Sequence, residues 1–220
     1  MNQYQVTITG KTPLLMHQDN IDWADFMKSW ESNPENKKNS KAGDDRTPAW
    51  RWIGSMYNDG HLVGIPNGNL MRSLMEGGAM VPVPGGRSGK TFKAQTQSGM
   101  MCVEPFWAIT THDGRQISWA DVERLKDIND FTAQRQEAAK LGITLFVKRA
   151  RVGQNKHIRV RPFFDAGWTI KGNIMVWDEQ ITAQVLSDIL TYAGNYKGLG
   201  DWRPGGRTPG SYGIFSAEIR

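Results

Sequence analysis

The sequence predicts an α+β fold in which an antiparallel sheet is covered on one face by helices. Several segments alternate apolar and polar residues with the period of two that is typical of half-buried strands. Fewer segments repeat at helical spacing, and the two kinds are mixed along the chain. No internal repeat of fixed period is present. A chain of 220 residues with these elements fits one large domain, residues 1–220, with insertions.

The predicted strands begin near the N-terminus, where YQVTITG places Val6 and Ile8 on the same side. The segments 143–152 and 157–164 are joined by GQNK, a four-residue loop that contains Gly153. This spacing predicts a β-hairpin. Further strands are predicted over 61–66, 102–109, 167–177 and 210–219.

The predicted helices are recognised by apolar stripes at helical spacing. In IDWADFMKSW the stripe consists of Trp23, Phe26, Met27 and Trp30, and core packing is its expected role. In ITAQVLSDILTYAG the residues before Gly194 form an amphipathic helix with a glycine at its C-cap. Helices are predicted over 21–30, 48–57, 67–80, 117–128 and 181–194.

Residues 32–47 are polar and rich in Asn, Lys and Asp, which predicts a mobile insertion that buries almost nothing. Asp44 and Asp45 are the paired carboxylates that a metal-dependent nuclease would need. Their place in this insertion favours an interpretation as solvated loop residues.

Residues 84–100 are predicted to form a basic loop that begins within VPVPGGRSGKTFK. Gly89, Lys90 and Thr91 match the end of a nucleotide-binding P-loop, but Pro84 stands where its first glycine is needed. Proline offers no N–H to a phosphate and does not adopt a positive φ. The segment before the loop looks helical and the segment after it shows no helical periodicity. We therefore interpret it as a flexible, glycine-rich basic loop that orders on an anionic partner.

Composition narrows the class of protein. No apolar run reaches the ~18 residues of a membrane span, and the N-terminus enters a strand directly, so no signal peptide is expected. Cys102 is the only cysteine, which excludes disulfides and multi-cysteine metal sites and favours a cytoplasmic setting.

The positive charge is unevenly distributed, although the net charge is only +5. No acidic residue occurs between 77 and 103 or between 146 and 164. The second window holds six basic residues, Lys148, Arg149, Arg151, Lys156, Arg159 and Arg161. Blocks of one sign attract phosphate, although chance clustering on a solvated surface remains the alternative. In each strand the arginines alternate and therefore share one face.

No metal, cofactor or catalytic residue is assigned. The four histidines, His17, His61, His112 and His157, lack metal-ligand spacing. One histidine in a basic cleft remains an alternative as the general base of RNA cleavage through the 2′-hydroxyl.

Three segments resemble the repeat-associated mysterious protein (RAMP) superfamily. They are ITGKTPLLMH near the N-terminus, GIPNGNLMRSLME, and AGNYKGLGDWRPGGRTPGSYGIFSAEI at the C-terminal end. The second segment resembles the one that leads into the first helix of the family. Leu70, Arg72 and Leu74 match the family's helix, and Gly198, Gly200 and Arg203 match its glycine-rich loop. Asn67, Gly68, Asn69 and Ser73 depart from the usual pattern, and a glycine-shaped turn before the last strand is the alternative interpretation.

The resemblance implies an RRM-like, or ferredoxin-like, fold and a relation to the backbone subunits of multisubunit CRISPR effector complexes or to stand-alone phage proteins. We therefore expect a cytoplasmic, sequence-tolerant binder of single-stranded nucleic acid, RNA favoured over DNA, that acts as a homo-oligomer or as a subunit of a larger ribonucleoprotein. A histidine-dependent endoribonuclease and a phage assembly protein with a basic protein-binding face are the alternatives.

The expected contacts combine basic side chains with an anion-binding glycine loop and stacking aromatic residues. The predicted nucleic-acid-binding residues are Arg72, Arg87, Lys90, Lys93, Lys148, Arg149, Arg151, Lys156, His157, Arg159, Arg161, Lys197, Gly198, Gly200, Trp202, Arg203 and Arg207. The aromatic residues available for stacking are Phe163, Phe164, Trp168 and Trp202.

Overall fold

A computed structural model of the protein describes residues 1–86 and 89–220. Its strands are β1 (Asn2–Gly10), β2 (Leu14–Leu15), β3 (Gly64–Pro66), β4 (Met100–Cys102), β5 (Phe106–Thr110), β6 (Thr144–Val152), β7 (Asn155–Phe164), β8 (Thr169–Val176) and β9 (Phe215–Ile219). Its α-helices are α1 (Ile21–Ser32), α2 (Pro34–Lys37), α3 (Asn67–Gly78), α4 (Lys93–Ser98), α5 (Trp119–Glu123), α6 (Phe131–Lys140) and α7 (Ala183–Tyr192). Two 3₁₀ helices cover Arg51–Ser55 and Arg124–Asp127, and a π-helical turn covers Ala193–Lys197.

The larger sheet has the strand order β3-β5-β8-β1-β9, and β4 joins β8 beside β5. All of its ladders are antiparallel. Within it, the succession β1-α3-β5-β8-α7-β9 gives the strand order β5-β8-β1-β9, which is the arrangement of the ferredoxin-like fold. The predicted α+β class with an antiparallel sheet is therefore confirmed.

The core lies between this sheet and the helices α3 and α7. On β1 the residues alternate, so Val6 and Ile8 are buried, and Ile8 pairs with the buried Ile170 of β8. The two helices approach each other closely at Gly77, where an added Cβ would lie 2.7 Å from the carbonyl oxygen of Ile189. A glycine is required at that point because any side chain would separate the helices.

The smaller sheet, β2-β7-β6, contains the predicted hairpin. The base of the hairpin belongs to the core, since Leu145 and Val160 are buried. Most of residues 147–156 at the other end are exposed on both faces. We refer to residues 147–156 as the arm, because this part of the hairpin projects from the body of the protein.

The segment 32–47 is partly integrated into the fold, contrary to the expectation that it buries almost nothing. Asp44 and Asp45 are only 5% and 7% exposed, so their interpretation as solvated residues was wrong. The backbone N–H of Asp45 donates to the carbonyl of Ile158 at 3.0 Å, and the N–H of Ile158 donates to Gly43 at 2.8 Å. Composition gave no sign of this burial, because Asp45 pairs with Arg159 and Arg161, which are distant in sequence, while Asp44 pairs with the neighbouring Arg46.

The predicted basic loop, 84–100, is only partly irregular. Its first part is closed by two hydrogen bonds, from the N–H of Val83 to the carbonyl of Lys90 and from the N–H of Phe92 to the carbonyl of Val81. Lys93–Ser98 form α4, where the sequence showed no helical periodicity. This short helix depends on packing, because Phe92 and Thr96 are buried. Before the loop stands α3, as expected, rather than the strand of a P-loop.

In the described part of the chain, no helix combines the length and the apolar character that crossing a membrane requires.

Candidate nucleic-acid interface

The register of the hairpin decides which basic residues share a surface. Directly opposite residues in an antiparallel pair lie on the same face. Lys148 is opposite Arg159, whereas Arg149 is opposite Ile158, and Arg151 is opposite Lys156. The arginines of β6 therefore lie on the face opposite to those of β7. The four strand arginines do not form one continuous surface.

The arm carries exposed basic side chains on both faces. They are Lys148 on one face and Arg149, Arg151 and Lys156 on the other. Among the residues that the structure describes, no carboxylate forms an ion pair with any of these four side chains. Their charge is therefore available to an anionic ligand. His157 is half-buried and packs against Gly43. A Cβ added to Gly43 would lie only 2.8 Å from Nδ1 of His157.

Arg159 and Arg161 instead form ion pairs within the fold. Asp45 lies 3.0 Å from Arg159 and 3.4 Å from Arg161, and Asp201 lies 3.5 Å from Arg161. The side chain of Arg161 is only 12% exposed. Burial lowers the pKa of its guanidinium, and the two carboxylates oppose that effect. These arginines connect β7 to segments far away in the sequence.

A cleft of about 540 Å³ lies between the start of α1 and β7, and the ion-paired arginines line it together with His17. Nε2 of His17 lies 3.2 Å from a guanidinium nitrogen of Arg161, and Nδ1 lies 3.7 Å from Asp201. Burial lowers the pKa of His17, and the positive charge of Arg161 lowers it further. The lowered pKa favours the neutral imidazole, whose Nε2 accepts from Arg161 because a guanidinium only donates.

A second basic region lies beside α3, which we call the α3 surface: Arg72, Lys93 and Lys197. These three side chains line a common cavity of about 330 Å³. Arg72 pairs with Glu76, whereas Lys93 and Lys197 form no ion pair with the described residues. Two cations thus remain unbalanced on this surface.

Arg203 is held by α3 rather than directed to solvent. It lies 2.7 Å from Glu76 and also donates to the carbonyl of Lys197. Burial raises the pKa of Glu76, but hydrogen bonds from Arg203 and Arg72 outweigh that effect and lower it overall. Glu76 therefore stays ionised and ties the glycine-rich loop to α3.

The glycine-rich loop does not present its first amides to an anion. The N–H of Gly198 donates to Ala193 at 2.8 Å, and the N–H of Leu199 donates to Gly213 at 2.9 Å. Gly198 has φ +66° and Gly200 has φ +77°. An added Cβ on Gly200 would lie 2.2 Å from the carbonyl oxygen of Leu15. The glycines thus permit close backbone packing, and the amide of Gly198 is not available to an anion nest.

Lys90 and Arg207 are exposed at separate places, and Arg87 lies outside the described residues. Two of the expected stacking residues, Phe164 and Trp168, are 1% and 0% exposed, so their prediction as stacking residues was wrong. Their apolar side chains complete the core instead.

Phe163 and Trp202 are half-buried and form a cluster with Phe146 and Tyr212, which sequence reasoning missed. The register of the hairpin would have placed Phe146 opposite Arg161 on the same face as Phe163. No local signal marked Asp45, Asp201 or Tyr212 as neighbours of these residues.

Neither a scan against models of protein families nor a search of curated proteins finds a match to this chain.

Proposed function

We propose that the protein binds single-stranded nucleic acid with little sequence preference, and RNA in preference to DNA. The observation that carries the proposal is the arm, on which Lys148, Arg149, Arg151 and Lys156 are exposed and have no ion-pair partner within residues 1–86 and 89–220. Flexible cations contact phosphates without reading bases, which makes binding tolerant of sequence. In line with the RAMP resemblance, the protein acts as a repeated subunit that coats the strand.

The strand path runs from the arm to the α3 surface. Tyr57 connects the two regions, because its hydroxyl donates to the carbonyl of His17 at 3.0 Å while its side chain also lines a small cavity with Arg72. His17 in turn borders the large cleft with Arg159 and Arg161. A bound strand that follows these contacts meets exposed cations at both ends and a polar cleft between them.

The test is a triple variant, Arg149→Glu, Arg151→Glu and Lys156→Glu, which reverses the charge on one face of the arm. Binding of a labelled single strand is measured by fluorescence anisotropy over a range of salt concentrations. We expect the wild type to show steep salt dependence, with log K falling by about 0.7 per phosphate contact for each tenfold rise in salt. We expect the variant to lose most of its binding while its melting temperature stays unchanged.

The matched control reverses Lys38, Arg135 and Lys171, which are exposed away from the arm and form no ion pair with the described residues, and it gives the same change of net charge. If both variants lose binding equally, only net charge matters and the arm is not the interface. A wild-type protein that binds no strand, or binds without salt dependence, favours a basic face for a protein partner and contradicts the proposal.

The geometry of His17 favours one second candidate, an endoribonuclease. In this reaction the 2′-hydroxyl of the bound strand replaces Arg161 at Nε2 of His17, and the imidazole takes its proton. The 2′-oxygen attacks the adjacent phosphorus, and the 5′-oxygen leaves with a proton from water, which yields a cyclic phosphate and a 5′-hydroxyl. Arg161 is placed 3.2 Å from the same imidazole and would stabilise the charge on phosphorus. Incubation with end-labelled RNA tests this candidate: cleavage must disappear in His17→Ala and in a 2′-deoxy strand.

A further inference from the structure

Four aromatic side chains form a cluster outside the hydrophobic core. Phe146 and Phe163 are stacked at 6.1 Å, and Trp202 meets Phe146 edge-on at 5.8 Å. Tyr212 contacts all of them, at 5.8 to 6.4 Å between ring centroids. Each is half-buried, and none of the four packs against the core of the described residues. Core stability therefore does not explain why these rings lie together.

Trp202 is held in a backbone conformation that a bulky residue rarely adopts. Its φ is +47°, and it is the only residue other than glycine with positive φ in the described part of the chain. The N–H of Trp202 donates to the carboxylate of Asp201 at 3.0 Å, and its carbonyl accepts from the N–H of Tyr212 at 3.3 Å. Strain that the surroundings maintain is typical of residues with a functional role.

One face of the Trp202 ring is covered by the ammonium group of a lysine. Nζ of Lys148 lies 4.4 Å from the ring centroid, and this exposed side chain has no ion-pair partner among the described residues. A lysine on a flexible four-carbon stem leaves such a position readily. The ring face is therefore closed in the free protein but easily opened.

We propose that Trp202 is a platform on which one unpaired base of the bound strand stacks, after displacing the ammonium group of Lys148. The displaced ammonium then contacts a phosphate of the same strand. This inference rests on the proposed function and specifies its ligand: a strand with an accessible, unpaired base rather than a paired duplex.

The exchange favours the base over the lysine. An exposed cation–π contact changes an equilibrium by only about two- to fivefold, whereas a base stacked on an aromatic side chain contributes about five- to a hundredfold to binding. Lys148 does not lose its attraction to the complex, because a phosphate replaces the ring as its partner. Every base has a stacking face, so the platform retains the tolerance of sequence.

The test compares how tightly the wild type and one variant bind each of two strands. The variant is Trp202→Gly, because glycine adopts a φ of +47° without strain and so preserves the backbone while the indole is removed. The strands are a single-stranded oligonucleotide and a strand of equal length made of abasic residues, which has the same charge. The matched control is Trp177→Ala, at a tryptophan that is 44% exposed and donates its indole N–H to Ser98.

We expect the wild type and Trp177→Ala to bind the base-bearing strand about tenfold more tightly than the abasic strand. We expect Trp202→Gly to bind both strands as weakly as the wild type binds the abasic one. Equal losses of binding to both strands, or a large fall in melting temperature, would show that Trp202 is structural and would overturn the platform.

The outcomes separate the platform from the function on which it rests. If the wild type binds both strands equally and tightly, strand binding stands and the platform is wrong. If the wild type binds neither strand, the proposed function fails and the platform fails with it. Trp202→Phe keeps a smaller aromatic face, so we expect it to retain part of the preference for the base-bearing strand over the abasic strand. If Trp202→Phe shows no more of this preference than Trp202→Gly, stacking is contradicted.

Discussion

The guanidinium of Arg161 lies between two carboxylates that are 116 and 40 residues away in the chain. Asp45 belongs to the polar segment before the 3₁₀ helix Arg51–Ser55, and Asp201 belongs to the glycine-rich loop. With side-chain exposures of 12% for Arg161 and 10% for Asp45, these charges are largely removed from water. Each charge therefore depends on the others for its stability in the fold.

We predict that Arg161→Ala lowers the free energy of unfolding by about 1–3 kcal/mol, because the largely buried Asp45 loses one of its two arginine partners and keeps only Arg159, at 3.0 Å. Arg149→Ala is the control, since that side chain is exposed on the arm, and we expect a change within about 0.5 kcal/mol. Urea denaturation of the two variants measures both values. Equal stability of the two variants would show that the ion pairs of Arg161 contribute nothing.

We predict that His17 makes stability depend on pH near neutrality. Its folded pKa lies below 6.5, first because of burial and then because of Arg161, while Asp201, Asp19 and Asp45 oppose the shift. As pH falls below about 6.5, the unfolded chain binds a proton at this histidine before the folded chain does, so stability is lost. The contribution of neutral His17 to the free energy of unfolding is complete above the pKa of the unfolded chain. It declines as the pH falls toward the lower pKa of the folded protein.

Thermal unfolding of the wild type and His17→Gln between about pH 5 and pH 8 measures this effect. The difference in stability between the two proteins is expected to change with pH in favour of the variant at the acidic end. His61→Gln, at an exposed histidine, is the control. The prediction is contradicted if both substitutions leave the same pH dependence as the wild type.

At the scale of the element, the β6–β7 hairpin divides into a base that supports the fold and an arm that reaches into solvent. Leu145 and Val160 are buried at the base, whereas Arg151 and Lys156 form an exposed pair near the turn. The bonds between Ile158 and the segment at Asp45 lie below the turn. The end of the hairpin can therefore be shortened without removing any described core contact.

We predict that replacing residues 151–156 by Asn-Gly, between Ala150 and His157, gives a folded protein with weaker strand binding. Asn-Gly suits the two-residue turn that the shortened strands require. Loss of Arg151 and Lys156 should lower the salt dependence of log K by about 0.7 for each lost phosphate contact. Anisotropy titrations at several salt concentrations measure it, and an unchanged salt dependence would place the strand elsewhere.

Individual elements show why part of the fold was predictable from sequence. The long strands were recognised because one face of each is buried, which produces alternation. In contrast, α6 was missed because its buried positions include Gln134, which is 0% exposed and accepts from the indole N–H of Trp52 at 3.0 Å. A polar core residue leaves no apolar stripe. α2 and α4, with four and six residues, are too short to show a period.

At the scale of the whole molecule, the candidate site depends on contacts that no local pattern encodes. The absence of acidic residues between 146 and 164 drew attention to six basic residues, and the structure places all six on the hairpin. It gave no sign that Arg159 and Arg161 are balanced by distant carboxylates, or that Lys148 lies over Trp202. Tertiary structure divides the basic block into structural ion pairs and exposed cations.

The distribution of exposed cations over two regions leads to a prediction about strand length. The arm and the α3 surface are separated by the cleft, and Tyr57 and His17 form the connection between them. A strand of about six nucleotides is expected to occupy one region at a time, whereas one of about 30 nucleotides engages both. Once one end is bound, the second contact is intramolecular and benefits from a high effective concentration.

We therefore predict that Lys93→Glu with Lys197→Glu, on the α3 surface, weakens binding of the long strand about tenfold or more but changes binding of a short strand far less. The short strand still binds the arm, whose four cations are unaltered. Competition titrations with strands of both lengths measure the two affinities in the wild type and in the variant. Equal losses for both lengths would mean that the α3 surface is part of the primary contact, and no loss for either would mean that the strand never reaches α3.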